Sequence, residues 1–365
     1  MKPTAANPRS RLRRLAHRVL AVLAGLLLAL VLLELGLRIY NPFEAPLRGD
    51  KIELPVYKRA IYHPPADDLR FDHPVYHSRN SLGFRGPEPP RDFAGSLSLL
   101  CVGGSTTNCR LLTDGKTWPE LMHKALEPQF PKLWVNNAGF DGHSTYGHLV
   151  LVEDILVKLK PKYILFLTGF NDIGRDDITS SDLQIERKKN EPVRAVLANF
   201  ETWVLMENAT RHLLAMDKGL THKLKTNDQD AAAVLSPERL TDAPREHFKL
   251  IEAYRERLRQ LADACRAGGM EPLFMTQPTA YVTAPKNAAQ VSAQHVYRAV
   301  LDAYNTALLE VAKEQGVCAI DLAPELSGEA EAFYDMGHFT NQGAERVAEI
   351  AARELGKFLS AKMGH

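Results

Sequence analysis

Leu99-Leu100-Cys101-Val102-Gly103-Gly104-Ser105-Thr106-Thr107 runs from a short apolar segment through two glycines into a serine, and the residues after it are patterned as a helix. That order spells buried strand, tight turn and helix start. Glycine bends without a Cβ clash, so Ser105 lands at the carboxyl end of a strand and beside a helix N-terminus. In an open α/β sheet, ligands bind at that end. A serine there serves as a nucleophile, as part of a phosphate cradle, or simply as an N-cap, since Ser and Thr cap helices throughout proteins. The rest of the chain has to discriminate.

From residue 97 onward, strand and helix patterns alternate. Strands read at 97–102, 133–137, 163–168, 271–276 and 317–321. The clearest amphipathic helix carries Phe248, Ile251, Tyr254, Leu258, Leu261 and Cys265 at three- and four-residue spacing, and the last carries Val347, Ala351 and Leu355. Alternation of this kind predicts an α/β fold with a central, mostly parallel five-stranded sheet covered on both faces. Residues 176–245 break the rhythm. They are charged, with helical pieces around Arg194–Leu205 and Thr210–Leu220. They read as an insertion at the carboxyl edge of the sheet, either a lid or membrane-facing cap or decoration outside the chemistry.

The 365 residues, 45% hydrophobic and 24% charged, are enough for a full core. The net charge of +1 is unevenly placed: Lys2, Arg9, Arg11, Arg13, Arg14, Arg18 and Arg38 crowd the first 39 residues against one acid, Glu34. The remainder is mildly acidic, which gives no electrostatic reason to expect nucleic acid. Cys101, Cys109, Cys265 and Cys318 show no metal-binding spacing. Cys101 and Cys318 sit in strand-like apolar runs and read as buried thiols; a Cys265–Cys318 bridge is left open.

Residues 1–18 are basic and lack acids, and 19–39 form an apolar span interrupted only by Glu34 and Arg38. Val19 to Leu37, at about 1.5 Å per residue, covers roughly 28 Å, enough to cross a bilayer core. A cleaved signal peptide is the rival, but the run is long for one and no small-x-small site follows. The reading is an uncleaved anchor with a cytoplasmic N-terminus, which puts the bulk of the chain outside the cytoplasm (the periplasm, in a Gram-negative envelope). Residues 40–95 are a proline-rich arm, and 96–365 the main domain. Within the arm, Asn80-Ser81-Leu82-Gly83-Phe84-Arg85-Gly86 is a compact turn, packed on the main domain or offering Arg85 to a substrate.

Three further stretches follow strand ends: Asn137-Ala138-Gly139-Phe140-Asp141-Gly142-His143-Ser144, Thr168-Gly169-Phe170-Asn171-Asp172 and Tyr334-Asp335-Met336-Gly337-His338-Phe339-Thr340. A serine hydroxyl is a weak nucleophile until a base takes its proton, and that base needs a partner to hold its tautomer. His338 suits the base and Asp335 its orienter. An oxyanion needs donors fixed in advance, which the Ser105 N–H, the Gly142 N–H and the Asn171 amide would supply. His143 and His148 lack companions for a metal site and read as structural. Asp172 reads as a loop-holding residue. Gln277, after the fourth strand, lines the pocket or closes a turn.

In this order, each at a strand end, the set resembles the SGNH (GDSL-like) hydrolase superfamily, and more closely its membrane-anchored versions with a Gly-Gly-Ser-Thr motif. The resemblance covers roughly residues 97–175 and 271–350, and Trp118-Pro119 adds to it. It implies a flavodoxin-like α/β/α sandwich and ester chemistry needing no metal or cofactor. It also implies the roles named above for Ser105, His338, Asp335, Gly142 and Asn171. The family's usual Asp before the serine is Gly104 here. Substrates on this reading are ester-bearing small molecules, lipids or envelope glycans. An O-acyltransferase acting on an envelope glycan would keep the same site, and a silent glycan-binding protein is the rival of another class. A phosphate loop fits worst, because no Lys follows the glycines and no GxGxxG is present. The sequence leaves the oligomeric state open.

Overall fold

The computed structural model describes residues 8–40, 47–48, 51–52, 54–175, 192–217 and 234–364. Parts of the expected basic start, arm and insertion (1–7, 41–46, 49–50, 53, 176–191 and 218–233) lie outside the described residues. In chain order the structure runs α1 (Pro8–Ile39), β1 (Arg59–Tyr62), β2 (Val75–Ser78), β3 (Leu97–Gly103), α2 (Ser105–Asn108), α3 (Trp118–Leu126), β4 (Leu133–Gly139), α4 (Thr145–Leu151), β5 (Tyr163–Leu167), α5 (Glu201–Asp217), α6 (Phe248–Ala267), β6 (Glu271–Met275), α7 (Ala293–Gln315), β7 (Cys318–Ile320) and α8 (Asn341–Met363). Two compact units form, one within Met1–Glu53 and Arg187–Lys218, the other within Leu54–Glu186 and Gly219–His365.

In the larger unit, five strands pair in the order β7-β6-β5-β3-β4, every pair parallel. This is the doubly wound, flavodoxin-like order, and the five expected strands are the five observed. Along β3 the side chains alternate. Leu99 and Cys101 join a cluster with Trp118 and Met122 of α3 and Val347, Ala351 and Leu355 of α8. Leu100 and Val102 join one with Leu151 of α4, Tyr254 and Leu258 of α6 and Tyr304 of α7. Burial on both faces is why the strand reads as an unbroken apolar run. Phe248, first of the apolar stripe read on α6, is instead 63% exposed: the stripe turns toward the sheet only from Ile251 onward. All four cysteines are free thiols.

Residues 54–96 pack against the sheet. Arg85 and Asn137 form an antiparallel bridge, exchanging N–H···O bonds of 3.0 and 2.9 Å, so the turn at 80–86 covers the outer edge of β4. In the smaller unit, α1 is a single helix whose Arg13–Ile39 portion is long and apolar enough to cross a membrane, and α5 packs against it.

In a sheet of this order the strand connections reverse direction between β3 and β5, opening a crevice at their carboxyl ends. Gly103 pairs with Gly139 on one side and Leu167 on the other, so three loops leave the sheet at one level. A Cβ on Gly139 would fall on the backbone of Thr107 and Asn108. Gly139→Ala should therefore cost about 1–3 kcal/mol or more through overpacking. A denaturation midpoint equal to the parent's would contradict this.

Candidate active site

Ser105 opens a single helical turn, and the residue in the N-cap position is Gly104, which has no side chain to cap with. The Ser105 hydroxyl is thus not spent on capping. One turn is too short to be stable alone, and its backbone is held from outside. The buried Trp118 indole N–H donates to the Thr106 carbonyl at 3.2 Å, and Asn137 Nδ2 donates to the Thr107 carbonyl at 2.6 Å. Arg85 Nη1 donates to the carbonyls of Asn108 and Cys109 at 2.7 and 2.8 Å, and its Nη2 reaches the Leu112 carbonyl at 2.8 Å and Asp114 at 3.0 Å. A guanidinium at a helix C-terminus satisfies orphan carbonyls and opposes the helix dipole.

His338 Nε2 lies 2.7 Å from Ser105 Oγ, and His338 Nδ1 lies 2.7 Å from Asp335 Oδ2. Asp335 Oδ1 also accepts from the backbone N–H groups of Gly337 and His338, at 3.0 and 2.9 Å. The turn is closed by Tyr334 N–H donating to the His338 carbonyl, 3.0 Å. It is braced from the loop after β6, where Thr279 Oγ1 and Ala280 N–H both donate to the Met336 carbonyl. Tyr334 stacks on the imidazole and Phe170 meets it edge-on. Burial pushes the Asp335 carboxyl up. The hydrogen bond and charge of His338, with the two backbone donors, outweigh that and hold it below the ordinary carboxylate range.

On the other side of Ser105, Gly142 takes φ +79° in a turn closed by His143 N–H donating to the Phe140 carbonyl, 3.2 Å. Positive φ at the third turn position favours glycine. Asn171 Nδ2 donates to the His143 carbonyl at 3.0 Å and lies against Gly104, where a Cβ would collide with it. Three loops thus bring Ser105, His338 and Asn171, with the Gly142 turn, to one crevice. Beneath it, Asp172 Oδ1 accepts from Thr145 N–H and Oγ1, at 3.1 and 2.5 Å, and lies 3.4 Å from Arg257 Nη2. Arg257 Nε donates to Thr145 Oγ1 at 2.7 Å, and its guanidinium stacks over the Tyr146 ring. This buried network ties the Asn171 loop to the start of α4 and so to the Gly142 turn.

The model of the GDSL-like Lipase/Acylhydrolase family matches residues 101–346, more than half of the chain. The chain belongs to that family. This GDSL-like protein is therefore an ester-cleaving serine hydrolase. Among solved structures, an acetylxylan esterase from Geobacillus stearothermophilus aligns at 16% identity over 72% of this chain and 94% of its own, with a TM-score of 0.43. An alpha/beta hydrolase from the metagenome of Lake Arreo, Spain, aligns at 16% identity over 72% of this chain and 95% of its own, TM-score 0.41. No curated protein matches the GDSL-like chain.

Two residues named as substrate contacts are placed elsewhere. Arg85 is fully buried, and its guanidinium is taken up by α2 and the loop behind it. Gln277 is 1% exposed: its Oε1 accepts from Thr106 Oγ1 at 3.1 Å, and its backbone exchanges hydrogen bonds with the Asn305 amide. Both are spent on holding the Ser105 turn of the GDSL-like domain. The sequence reading missed Arg257, although a signal was present: it sits between Tyr254 and Leu258 on the apolar stripe of α6, where a charge requires a buried partner.

Two measurements test this layout. Arg85→Met leaves the carbonyls of Asn108, Cys109 and Leu112 without their donor and should cost roughly 3–5 kcal/mol in urea denaturation; a cost within error of zero would contradict the bracing role. His143 and His148 are each 1% exposed beneath the Gly142 turn. Burial drives both imidazoles below the ordinary 6.5, His143 to about 3 and His148 to about 4; His148 and Arg79 add to the effect at His143, and the Asp172 charge partly offsets it at His148. Below about pH 6.5 the unfolded imidazoles bind protons that the folded ones refuse, so stability falls with pH until the folded values are reached. At pH 5 each should cost about 2 kcal/mol. Asp335 acts in a lower window: its contribution is present above 3.8 and lost only as pH drops through its lowered folded value. Denaturation midpoints unchanged between pH 7 and 5 would refute the histidine term.

Proposed function

We propose that this esterase/acylhydrolase is anchored in a membrane by α1, works outside the cytoplasm, and cleaves carboxylic esters through an acyl-enzyme on Ser105. The contact of 2.7 Å between Ser105 Oγ and His338 Nε2, continued by 2.7 Å from His338 Nδ1 to Asp335, carries this reading. With Nδ1–H donated to Asp335, the Nε2 lone pair accepts the Ser105 proton as Oγ attacks the ester carbonyl carbon. The oxyanion falls to the Ser105 N–H, the Gly142 N–H and the Asn171 amide, whose positions are held before substrate arrives. His338 passes its proton to the departing alcohol as the C–O bond breaks. A water, deprotonated by His338, then attacks the acyl carbon; the acyl–Oγ bond breaks, His338 returns the proton to Ser105 Oγ, and the free acid leaves. Lipid esters and acylated envelope glycans are the substrate classes an extracytoplasmic site would meet. The basic flank before the apolar span, with six Lys or Arg through residue 18, supports a cytoplasmic N-terminus.

Treatment of the full chain with a fluorophosphonate should place the adduct on Ser105, located by mass spectrometry, and Ser105→Ala and His338→Ala should abolish it. Asp335→Asn should keep the fold and lower kcat by about 10⁴-fold. An unlabelled but folded parent would overturn the nucleophile assignment, and a cleaved N-terminus on the mature protein would overturn the anchor.

A further inference from the structure

Glu34 is the one acid in the apolar span, three residues before Leu37 and so about 5 Å inside its end. A carboxylate at that depth is costly unless it is paired. In the smaller unit its partners come from the insertion. Glu34 Oε1 accepts from the Glu201 N–H at 3.0 Å, and Oε2 accepts from the Thr202 N–H at 3.0 Å and the Thr202 hydroxyl at 3.1 Å. These are the first N–H groups of α5, which have no partners within their own helix. Arg38 bridges Glu34, at 2.8 Å, to the Asn199 carbonyl, at 2.8 Å. Leu37, one turn on, is buried, as are Ala198 and Val204. The insertion is thus fastened to the last turns of α1 by its chain direction, its charge and its packing.

That fastening sets depth. A residue hydrogen-bonded to Glu34 lies where Glu34 lies, at the boundary between hydrocarbon and headgroups. The exposed side chains described in the same segment are mostly apolar: Val193, Val196, Phe200, Met206 and Leu213 are 45–69% exposed, with Asn199, Ala209 and Thr210 among them. At the end of α1, Leu33, Leu35 and Ile39 are exposed as well, and α5 packs on that helix. The geometry points to a second membrane-contacting element, residues 192–217, docked on the anchor through Glu34 with these five side chains in the interfacial layer of the bilayer. This rests on the reading of α1 as a membrane anchor. An amphipathic segment held at that level gains affinity in proportion to the apolar area it buries. The occupant of this face is lipid, because the segment is hydrogen-bonded to Glu34 and packed on the helix read as the anchor, which leaves it at bilayer depth.

The test uses the full chain in phosphatidylcholine–phosphatidylglycerol nanodiscs. An environment-sensitive fluorophore is placed in turn on Met206→Cys, Leu213→Cys and, as a depth control on α1, Leu30→Cys, with the labelled parent as blank. Quenching by lipids brominated near the glycerol is expected at 206 and 213, and by lipids brominated deep in the chain at 30. Glu34→Ala should abolish the shallow quenching at 206 and 213 and leave position 30 unchanged. Glu34→Gln, which keeps one carbonyl acceptor, should retain part of it. Water-like emission at 206 and 213 with position 30 still quenched overturns the inference and leaves the anchor standing. Shallow quenching that survives Glu34→Ala overturns the docking through Glu34. An unquenched position 30 removes the anchor and this inference with it.

Discussion

A single helical turn carries Ser105, and one turn cannot hold itself, because its nucleation cost exceeds what its own hydrogen bonds return. The rest of the larger unit is arranged around that deficit. Arg85 takes the carbonyls at the turn's far end, Trp118 takes Thr106, Asn137 takes Thr107, and Gln277 takes the Thr106 hydroxyl. These braces come from the arm, from α3, from β4 and from the loop after β6. None could do its work if Gly139 carried a side chain, because the backbone of the turn lies directly on it. A Ser105 turn held in this way is fixed before any ligand arrives, which is what a preorganised site requires.

The same economy governs the other loops of the crevice. The Asp335–His338 turn is shaped by its own carboxylate accepting backbone N–H groups and by Thr279 and Ala280 reaching the Met336 carbonyl. The Asn171 loop and the Gly142 turn share the buried Asp172–Thr145–Arg257 network. Buried charges of this kind add little net stability once desolvation is counted, but removing one partner is costly. Their effect is to hold two loops in one relative position.

Gly104 is the departure from the family's usual aspartate, and the structure gives it a physical setting. The Asn171 amide occupies the space a side chain at 104 would enter. With glycine there, the Asn171 amide approaches the residue next to Ser105 closely. Changing position 104 would also require Asn171 to move.

The sequence by itself determined the sheet and the order of its loops, because strands buried on both faces leave continuous apolar runs and loops at strand ends carry their glycines in place. The loops at those strand ends also offer Ser105, Gly142, Asn171, Asp335 and His338 as candidates, and the fold brings Ser105 and His338 to 2.7 Å. What only the tertiary structure decided is which polar residues stand at the crevice and which are spent on the protein. Arg85 and Gln277 looked available for binding and are buried as braces. Arg257, unremarked on the stripe of α6, closes an ion pair under the crevice. Glu34, the acid that interrupts the apolar span, caps a helix more than 160 residues away. A hydrogen bond is satisfied by whichever group the fold brings within about 3 Å, and that partner is set by packing across the chain rather than by the residues on either side.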